Sequence, residues 1–311
     1  MTSQEGSSSG GYQDPEPAAA AAAEQEVEHF LQPHAPHAAA GAAKQLPVFI
    51  SDPEPAWLTP DIKQRYLHAA FTVRGAKQNA QQAHEWRQKF GVDGAFERPV
   101  PYHTAVTTAF PTYTLMDESP ERHAVITSKV GCIKDLCNLV FHPPDGTAGV
   151  PLEDLEYTMA VLNEYLTKVA APRPLPGGSQ VQIFDLEGFK LSMVNGELIT
   201  LFKMLGRFVQ YYPERVHAAF VINAPRWFAT PWKLLSSFLD ANTKSRVMVV
   251  ADAKEILPVL AHHLGGMHNV PQAWGGSNTT PFHEYPAHQR MLAFAKKLNE
   301  GQQQQQQQQQ Q

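Results

Sequence analysis

The sequence predicts an α/β protein: a sheet of parallel or mixed strands with helices packed over it, preceded by a small helical domain. Three observations support this prediction. Short apolar strands alternate with amphipathic helices between residues 123 and 264, no internal repeat is visible, and 43% of the 311 residues are apolar. An apolar fraction of this size is typical of a chain that builds a packed core.

The ends of the chain have a different composition from its middle. Residues 1–45 are rich in Ser, Gly, Ala, Pro, Gln and Glu, and residues 301–311 are almost entirely glutamine. Such segments lack the apolar residues needed to offset the entropy of ordering. We therefore expect a disordered low-complexity tail before residue 46 and a polyglutamine tail after residue 300.

The segment from 46 to 98 is predicted to be the small helical domain. Its pattern indicates a helix over Thr59–Phe90, with Asp61 near the start and Gly91 directly after the end. Residues Pro99–Pro120 are rich in Pro and Thr, and we expect them to form a connection with little regular structure. Residues 278–300 are expected to form a C-terminal helical extension to the main domain at 99–277.

The main domain contains the alternating elements. In chain order they are strand His123–Gly131, helix Leu152–Val169, strand Val181–Gly188, helix Asn195–Tyr211, strand Arg215–Ala224, helix Arg226–Leu239, strand Ser245–Asp252 and helix Ala253–Leu264. The strands are short and almost continuously apolar, as in sheets that are buried on both faces. Right-handed crossovers between parallel strands would place the helices over the sheet.

The predicted helix Arg226–Leu239 is apolar over more than half of its circumference, whereas an ordinary surface helix has a stripe of about 100°. Either it packs on two sides inside the core, or its second apolar face borders a cavity or a membrane. Trp227 and Trp232 favour the second alternative, because indole suits a boundary between apolar and wet surroundings. Moving a two-chain lipid from a bilayer into water costs on the order of 20 kcal/mol, so a carrier must enclose the lipid almost completely.

These features together predict a lipid pocket with a polar end. The apolar lining and the helix that closes it are predicted to comprise Val181, Ile183, Val221, Trp227, Phe228, Trp232, Leu235, Phe238 and Leu239. For the headgroup, Glu214 can accept hydrogen bonds from ring hydroxyls, Arg246 can bind a phosphate and Thr243 can donate to one.

The same residues carry a family resemblance. The segments VQIFDLEG, YYPERVHAAFVINAPRWF, FLDANTKSRVMVV and VPQAWGG, in this order, make the chain resemble the CRAL-TRIO lipid-binding family over roughly Thr59–Gly276. The resemblance implies an α/β domain with a deep apolar pocket and a gate helix. It also implies that Glu214, Thr243 and Arg246 contact an inositol phosphate, as in the phosphatidylinositol-transferring branch.

Two departures from the family pattern bear on the ligand. Relatives carry a basic FLRAR-like run in the helical domain, whereas this chain has YLHAAF, with His68 and Ala70 in place of arginines. Relatives that also carry phosphatidylcholine have small hydroxyl residues at the positions of Gln180 and Gln182. The longer glutamines would crowd a choline, so the resemblance implies phosphatidylinositol as the ligand.

Other functional classes have little support. No nucleophile elbow, phosphate loop or dinucleotide-binding motif occurs, so we expect no enzyme and no cofactor besides the lipid. Asp185 and Glu187 are expected at a strand-end turn, and surface or capping roles rather than metal binding are expected for His262, His263 and His268. Without the acidic tail the chain has 25 basic and 24 acidic residues, which argues against nucleic-acid binding.

The sequence therefore predicts a cytoplasmic, transiently membrane-associated protein, favoured as a monomer, which carries a phospholipid and exchanges it at membrane surfaces. Two alternatives remain open. The same fold could bind a single-chain hydrophobic ligand of retinoid or tocopherol type, or it could be a protein-interaction module without lipid exchange.

Overall fold

The structure is a computed structural model that describes residues 46–70, 72–144, 147–175, 177–239 and 241–309, without the side chains of 241–242 and 302–309. The predicted N-terminal tail lies outside the described residues. All described residues belong to one compact unit, residues 41–311. The domain boundaries proposed within that unit stay a prediction.

One five-stranded sheet forms the centre, with the strands in sequential order. They are β1 (Thr112–Met116), β2 (Ala124–Lys129), β3 (Gln180–Asp185), β4 (Val216–Ile222) and β5 (Val247–Val249). Strand β1 pairs antiparallel with β2, and the other pairs are parallel. The mixed α/β prediction is therefore confirmed.

Ten α-helices are described. They are α1 (Pro60–Ala70), α2 (Val73–Phe90), α3 (His103–Ala109), α4 (Ile133–Phe141), α5 (Leu152–Tyr165), α6 (Gly196–Tyr211), α7 (Ala229–Leu235), α8 (Ala241–Ser245), α9 (Leu257–Leu264) and α10 (Pro286–Gln309). Short 3₁₀ turns extend several of them, including Arg226–Phe228 before α7 and Ser236–Phe238 after it. Among the described residues, no helix combines the length and apolar composition that a membrane span requires.

The strand order determines which face the connecting helices cover. Strands β2 to β5 run parallel and in sequence, so right-handed crossovers between them all lie on the same face of the sheet. That face carries α6, between β3 and β4, and α7, between β4 and β5. We call it the crossover face. Helix α9 follows β5 and contacts the opposite face, where the His263 ring lies 5.4 Å from that of Phe220.

The helical segment differs from its prediction in one detail. The expected single helix Thr59–Phe90 is two helices, because α2 begins anew at Thr72, whose hydroxyl accepts the N–H of Gly75 at 3.1 Å. Helix α2 ends at Gly91, in a left-handed conformation with φ of 62°. A β-carbon there would meet only the end of the flexible Arg98 side chain, so the left-handed backbone is the feature that favours glycine.

The prediction for Pro99–Pro120 was wrong. This stretch contains helix α3 and the edge strand β1. Its Thr and Pro residues suppress an amphipathic pattern, yet Val106 and Leu115 are buried and supply the apolar contacts that hold both elements. Helix α4 was also not predicted. It lies between the first two predicted elements of the alternating region and buries Ile133, Leu136 and Cys137.

Charged and aromatic side chains join the helical segment to the core. Arg87 of α2 donates to Glu164 of α5 at 2.8 Å, and both side chains are at most 5% exposed. One residue earlier, the Trp86 indole N–H donates to Glu156 at 2.9 Å. Burial alone would raise the pKa of the Glu164 carboxyl, but the Arg87 and Lys168 cations outweigh burial and lower it.

Candidate functional site

The Glu214 turn, which leads into β4, has a strained backbone. Glu214 has a φ of 54°, a left-handed conformation that costs a non-glycine residue roughly 1–2 kcal/mol. Its main-chain carbonyl accepts two hydrogen bonds, from Arg65 Nη1 at 2.9 Å and from Ser179 Oγ at 2.6 Å. These two donors hold the turn in a conformation that the residue alone would not favour.

Arg65 is a site residue that the sequence analysis missed. Its side chain is 1% exposed, and besides Glu214 it donates to Asp61 at 3.0 Å and to the carbonyls of Arg173 and Gly177 at 3.0 and 2.8 Å. The planar guanidinium presents its donors in a fixed fork that matches this ring of acceptors. The sequence did contain a signal for this role. Arg65 lies one helical turn after Ile62, on the apolar side of α1, where a charged residue is expected to have buried partners.

The three predicted headgroup residues come together beside this turn. Arg246 Nη2 donates to Glu214 Oε2 at 2.7 Å, with side-chain exposures of 19% and 11%. The main-chain N–H of Arg246 donates to the main-chain carbonyl of Thr243 at 3.1 Å. This bond closes the turn between α8 and β5. All three residues line one cavity of about 30 Å³.

Arg215 lies in the same cavity wall. Its guanidinium donates to the main-chain carbonyl of Gly178, in the loop before β3. Burial, together with the nearby Arg65 cation, lowers the pKa of Arg215 to about 10. The hydrogen bond to Gly178 indicates that Arg215 braces the turn before β4.

The cavity is small for a ligand. A volume of about 30 Å³ holds about one water molecule, whereas small-molecule pockets in proteins measure roughly 300–1,000 Å³. A second cavity of about 50 Å³ lies between the helical segment and the core, next to Trp57, Arg87, Glu164 and Tyr211. The described structure is therefore closed at the polar end of the predicted pocket.

The gate segment, Arg226–Phe238, is also closed. It consists of α7 and its two flanking 3₁₀ turns. Phe228 and Leu235 are 5% exposed and pack in one cluster with Leu201 and Met204 of α6. Trp227 and Trp232 are half-buried at the edge of that cluster. The segment thus packs directly onto the sheet and α6, and neither of the two cavities described above is lined by its residues.

The predicted lining residues divide between the two faces of the sheet. Side chains alternate along a strand, so Val181 and Ile183 face away from Phe184. The register pairs Phe184 with Val221, and both pack with the gate segment. Val221 therefore lies on the crossover face, while Val181 and Ile183 lie on the opposite face and cannot share its contacts. The nearly continuous apolar composition of β3 concealed this division.

The other predicted residues lie along the gate segment and just beyond it. Phe238 is half-buried, and its ring lies 6.3 Å from that of Phe202 of α6. Leu239 has left the helix and has an extended backbone, with its N–H donating to the Ser236 carbonyl at 3.2 Å. The predicted helix therefore ends one residue early.

Gln180 and Gln182 lie on the crossover face and bond to each other. The Gln182 amide donates to Gln180 Oε1 at 2.9 Å, and the Gln180 amide donates to Asn163 of α5 at 3.5 Å. Gln180 is 2% exposed. The two amides thus form a short polar ladder next to the apolar area that the gate segment covers.

Asp185 closes the carboxyl end of β3. Its carboxylate accepts from Lys129 at 2.5 Å, from the Asn223 amide at 2.8 Å and from the Glu187 N–H at 3.0 Å. Burial would raise the pKa of Asp185, but these donors outweigh burial and lower it. The expected strand-end turn is present, and its carboxylate also joins the ends of β2, β3 and β4.

Comparison with known proteins adds three findings. The chain is 26% identical over 228 residues to the SEC14 cytosolic factor of Kluyveromyces lactis, covering 68% of this chain and 72% of that protein. It is 26% identical over 123 residues to the phosphatidylinositol transfer protein SFH5 of Candida glabrata, covering 39% of this chain and 40% of that one. The crystal structure of Sfh5 superposes with a TM-score of 0.51 at 17% identity, over 75% of this chain and 79% of that chain, which shows a common fold.

The family model of the CRAL/TRIO domain matches residues 139–276. This range includes Glu214, the gate segment and Arg246. The comparison therefore identifies a CRAL-TRIO domain at residues 139–276, as the sequence motifs predicted.

Proposed function

We propose that the chain is a lipid-transfer protein that carries a phospholipid, with phosphatidylinositol as its ligand, and exchanges it at membranes. The convergence of Glu214, Thr243 and Arg246 on one cavity is the observation that carries the proposal. The cation can bind a phosphate, the carboxylate can accept from ring hydroxyls, and the threonine hydroxyl can donate to a phosphate oxygen.

The contact between Arg246 and Glu214 suggests how a headgroup enters the closed site. Arg246 and Glu214 neutralise each other through their 2.7 Å contact, so neither charge is left unpaired while the site is closed. An arriving inositol phosphate exchanges this internal pair for pairs with the ligand.

The acyl chains must displace the gate segment, since Phe228 and Leu235 now pack against α6. The apolar contacts that these side chains lose on opening are replaced by contacts with the lipid. The closed and the lipid-bound states then bury similar apolar areas. Opening at a membrane therefore avoids most of the cost of exposing a two-chain lipid to water, which is on the order of 20 kcal/mol. The exposed Leu234 and Lys233 of α7 suit contact with a membrane surface.

The relatives support this ligand class. One is named a phosphatidylinositol transfer protein and another a cytosolic factor, which agrees with a cytoplasmic carrier that visits membranes. The Gln180–Gln182 ladder supports phosphatidylinositol over phosphatidylcholine, because the amides occupy the positions where a choline would need small hydroxyl groups. We also propose that the chain catalyses no reaction and binds no cofactor besides the lipid.

The test is transfer of labelled phosphatidylinositol between vesicles by the full chain and by Arg246→Ala and Glu214→Ala. A charge-assisted hydrogen bond contributes about 1.5–3 kcal/mol, so Arg246→Ala should weaken binding by about 10- to 150-fold. Lys244→Ala is the matched control, because Lys244 is an exposed cation two residues away. Normal transfer by both site variants, or an equal loss in the control, would remove the headgroup assignment.

The small cavity volume favours a second candidate function, the binding of a single-chain hydrophobic ligand. A single-chain ligand needs a smaller opening of the gate segment than two acyl chains need, and it needs no phosphate contact. If Arg246→Ala left binding unchanged while a single-chain lipid copurified, this candidate would replace the first.

A further inference from the structure

Five polar side chains converge near the amino ends of β2 and β4. Glu121 and His123 precede β2, His217 is the second residue of β4, and His262 and His263 end α9. The cluster is distinct from the Glu214 cavity, whose lining includes none of the five. The proposed lipid function leaves the cluster without a role.

Glu121 is the centre of the cluster. Its Oε2 lies 2.6 Å from His263 Nδ1 and 3.8 Å from His217 Nε2, and its Oε1 lies 3.3 Å from His262 Nε2. One donor atom from each of Glu121, His262 and His263 lies within 4.8 Å of the donor atoms of the other two. Three imidazoles, two from α9 and one from β4, therefore lie close to one carboxylate.

The spacing between Glu121 and two of the imidazoles approaches the ligand spacing of a tetrahedral zinc site. Ligand atoms at about 2.0–2.1 Å from one ion lie roughly 3.3–3.4 Å apart. The pairs from Glu121 to His262 and to His217, at 3.3 and 3.8 Å, already approach that separation. Glu121 and His263 are directly hydrogen-bonded at 2.6 Å, so the Glu121 carboxylate must rotate before an ion can bind between them.

Two contacts hold the cluster in place. The His123 ring stacks on the His217 ring with centroids 3.9 Å apart and planes 22° apart, and His123 Nδ1 accepts the Ser179 N–H at 3.4 Å. His263 is 2% exposed, so its ring cannot turn freely out of the cluster. Preorganised imidazoles lose little conformational entropy when they bind an ion.

We propose that Glu121, His217, His262 and His263 form a binding site for a transition-metal ion of the zinc class. Three imidazole nitrogens and one carboxylate oxygen match zinc better than the all-oxygen shells that magnesium and calcium prefer. The ion would join the end of α9 to the start of β4 and to the loop before β2, which is a structural role. This proposal departs from the surface or capping role expected for His262 and His263 from the sequence.

The test is zinc binding by the untagged full chain, measured by equilibrium dialysis with elemental analysis and by competition with a chelating dye. The tail imidazoles His29, His34 and His37 could bind metal separately, so every protein carries His→Gln at these three positions. We expect one Zn²⁺ per chain. Co²⁺ in its place should show the intense visible absorption of tetrahedral coordination, which a purely structural cluster would not produce.

The variants Glu121→Gln and His262→Gln separate the cluster from other histidines. Each removes one ligand with little change of size, and His262 has a side chain 42% exposed, so its replacement should preserve the fold. We expect each variant to lower zinc affinity at least about 10-fold and to lose the Co²⁺ absorption. The control is His268→Gln, an exposed histidine five residues after His263, and it should bind as the parent does.

Thermal unfolding distinguishes zinc binding at the folded cluster from zinc binding elsewhere on the chain. Zn²⁺ should raise the melting temperature of the parent and of His268→Gln, but not that of His262→Gln, because only a folded site binds the ion. The absence of saturable zinc binding in the parent would overturn the proposal. Equal zinc affinities in all four proteins would also overturn it, since the ion would then be bound elsewhere.

Discussion

The Arg65 guanidinium donates a 2.9 Å hydrogen bond to the main-chain carbonyl of Glu214, across 149 residues of sequence. This contact links the helical segment to the turn that carries the Glu214 carboxylate. Because Glu214 has a left-handed backbone, the turn depends on its partners to hold that conformation. The helical segment therefore helps to shape the site even though its own basic run is reduced to YLHAAF.

Replacing Arg65 tests this dependence. Arg65→Lys keeps the charge but loses the planar fork, so several buried carbonyls lose their donors. We expect a loss of about 3 kcal/mol in the free energy of unfolding, measured by urea titration, together with slower phosphatidylinositol transfer. Arg74→Lys, at an exposed position of α2, should change the free energy of unfolding by less than about 0.5 kcal/mol. Equal effects of the two substitutions would refute the bracing role.

Adjacent leucines of the gate segment test its closure. Leu235 is 5% exposed and packs against α6, while Leu234 is 45% exposed. Leu235→Ala should cost about 2–4 kcal/mol of stability and, because it weakens the closed state, should accelerate lipid exchange between vesicles. Leu234→Ala should leave the free energy of unfolding nearly unchanged. If Leu235→Ala were as stable as the parent, the packed arrangement of the gate segment would be contradicted.

The Asp185 network makes a prediction about pH. The folded-state pKa of Asp185 lies below its ordinary value of 3.8, so the unfolded chain binds this proton first as the pH falls. The stabilisation is therefore present above about pH 4 and is lost as the pH falls through the lowered folded-state pKa.

Asp185→Asn should accordingly destabilise the protein by about 3 kcal/mol near neutral pH, because it removes the partner of a largely buried Lys129. The difference from the parent should shrink as the pH is lowered towards about 3, in urea titrations at a series of pH values. Asp135→Asn, at an exposed site, is the control and should show no such trend. A difference that stays constant with pH would exclude the proposed ionised pair.

The amide ladder makes a prediction about ligand choice. Gln180→Ser combined with Gln182→Thr should create room for a choline and place two hydroxyl groups on the crossover face. We expect the double variant to gain phosphatidylcholine transfer while it retains phosphatidylinositol transfer, measured with both labelled lipids in one vesicle assay. Unchanged selectivity would mean that these positions do not contact the headgroup.

The sequence predicted the fold well where hydrophobic patterns are strong. Strands β2, β3 and β4, helices α5 and α6 and the gate segment all lie within a few residues of their predicted bounds. Helix α3 and strand β1 were missed because Thr and Pro dominate their segment, and only tertiary contacts around Val106 and Leu115 reveal them. Local pattern carries no information on such contacts.

The candidate site was predicted only in part, because local sequence patterns do not reveal contacts between distant residues. Motif positions identified Glu214, Thr243 and Arg246, and the structure brings them together, although their role in ligand binding stays a prediction. Arg65 and Glu121 act through contacts with residues far along the chain, which spacing cannot reveal. Val181 and Ile183 could not be assigned to a face, because a strand buried on both sides has no polar alternation to separate its faces.

The most direct measurement is mass spectrometry of the lipid extracted from purified full chain after incubation with vesicles of mixed phospholipids. The account predicts one phosphatidylinositol per chain, with little phosphatidylcholine and with loss of the bound lipid in Arg246→Ala but not in Lys244→Ala. A chain that folds normally and returns no lipid, or returns phospholipids in the proportions of the vesicles, would contradict it.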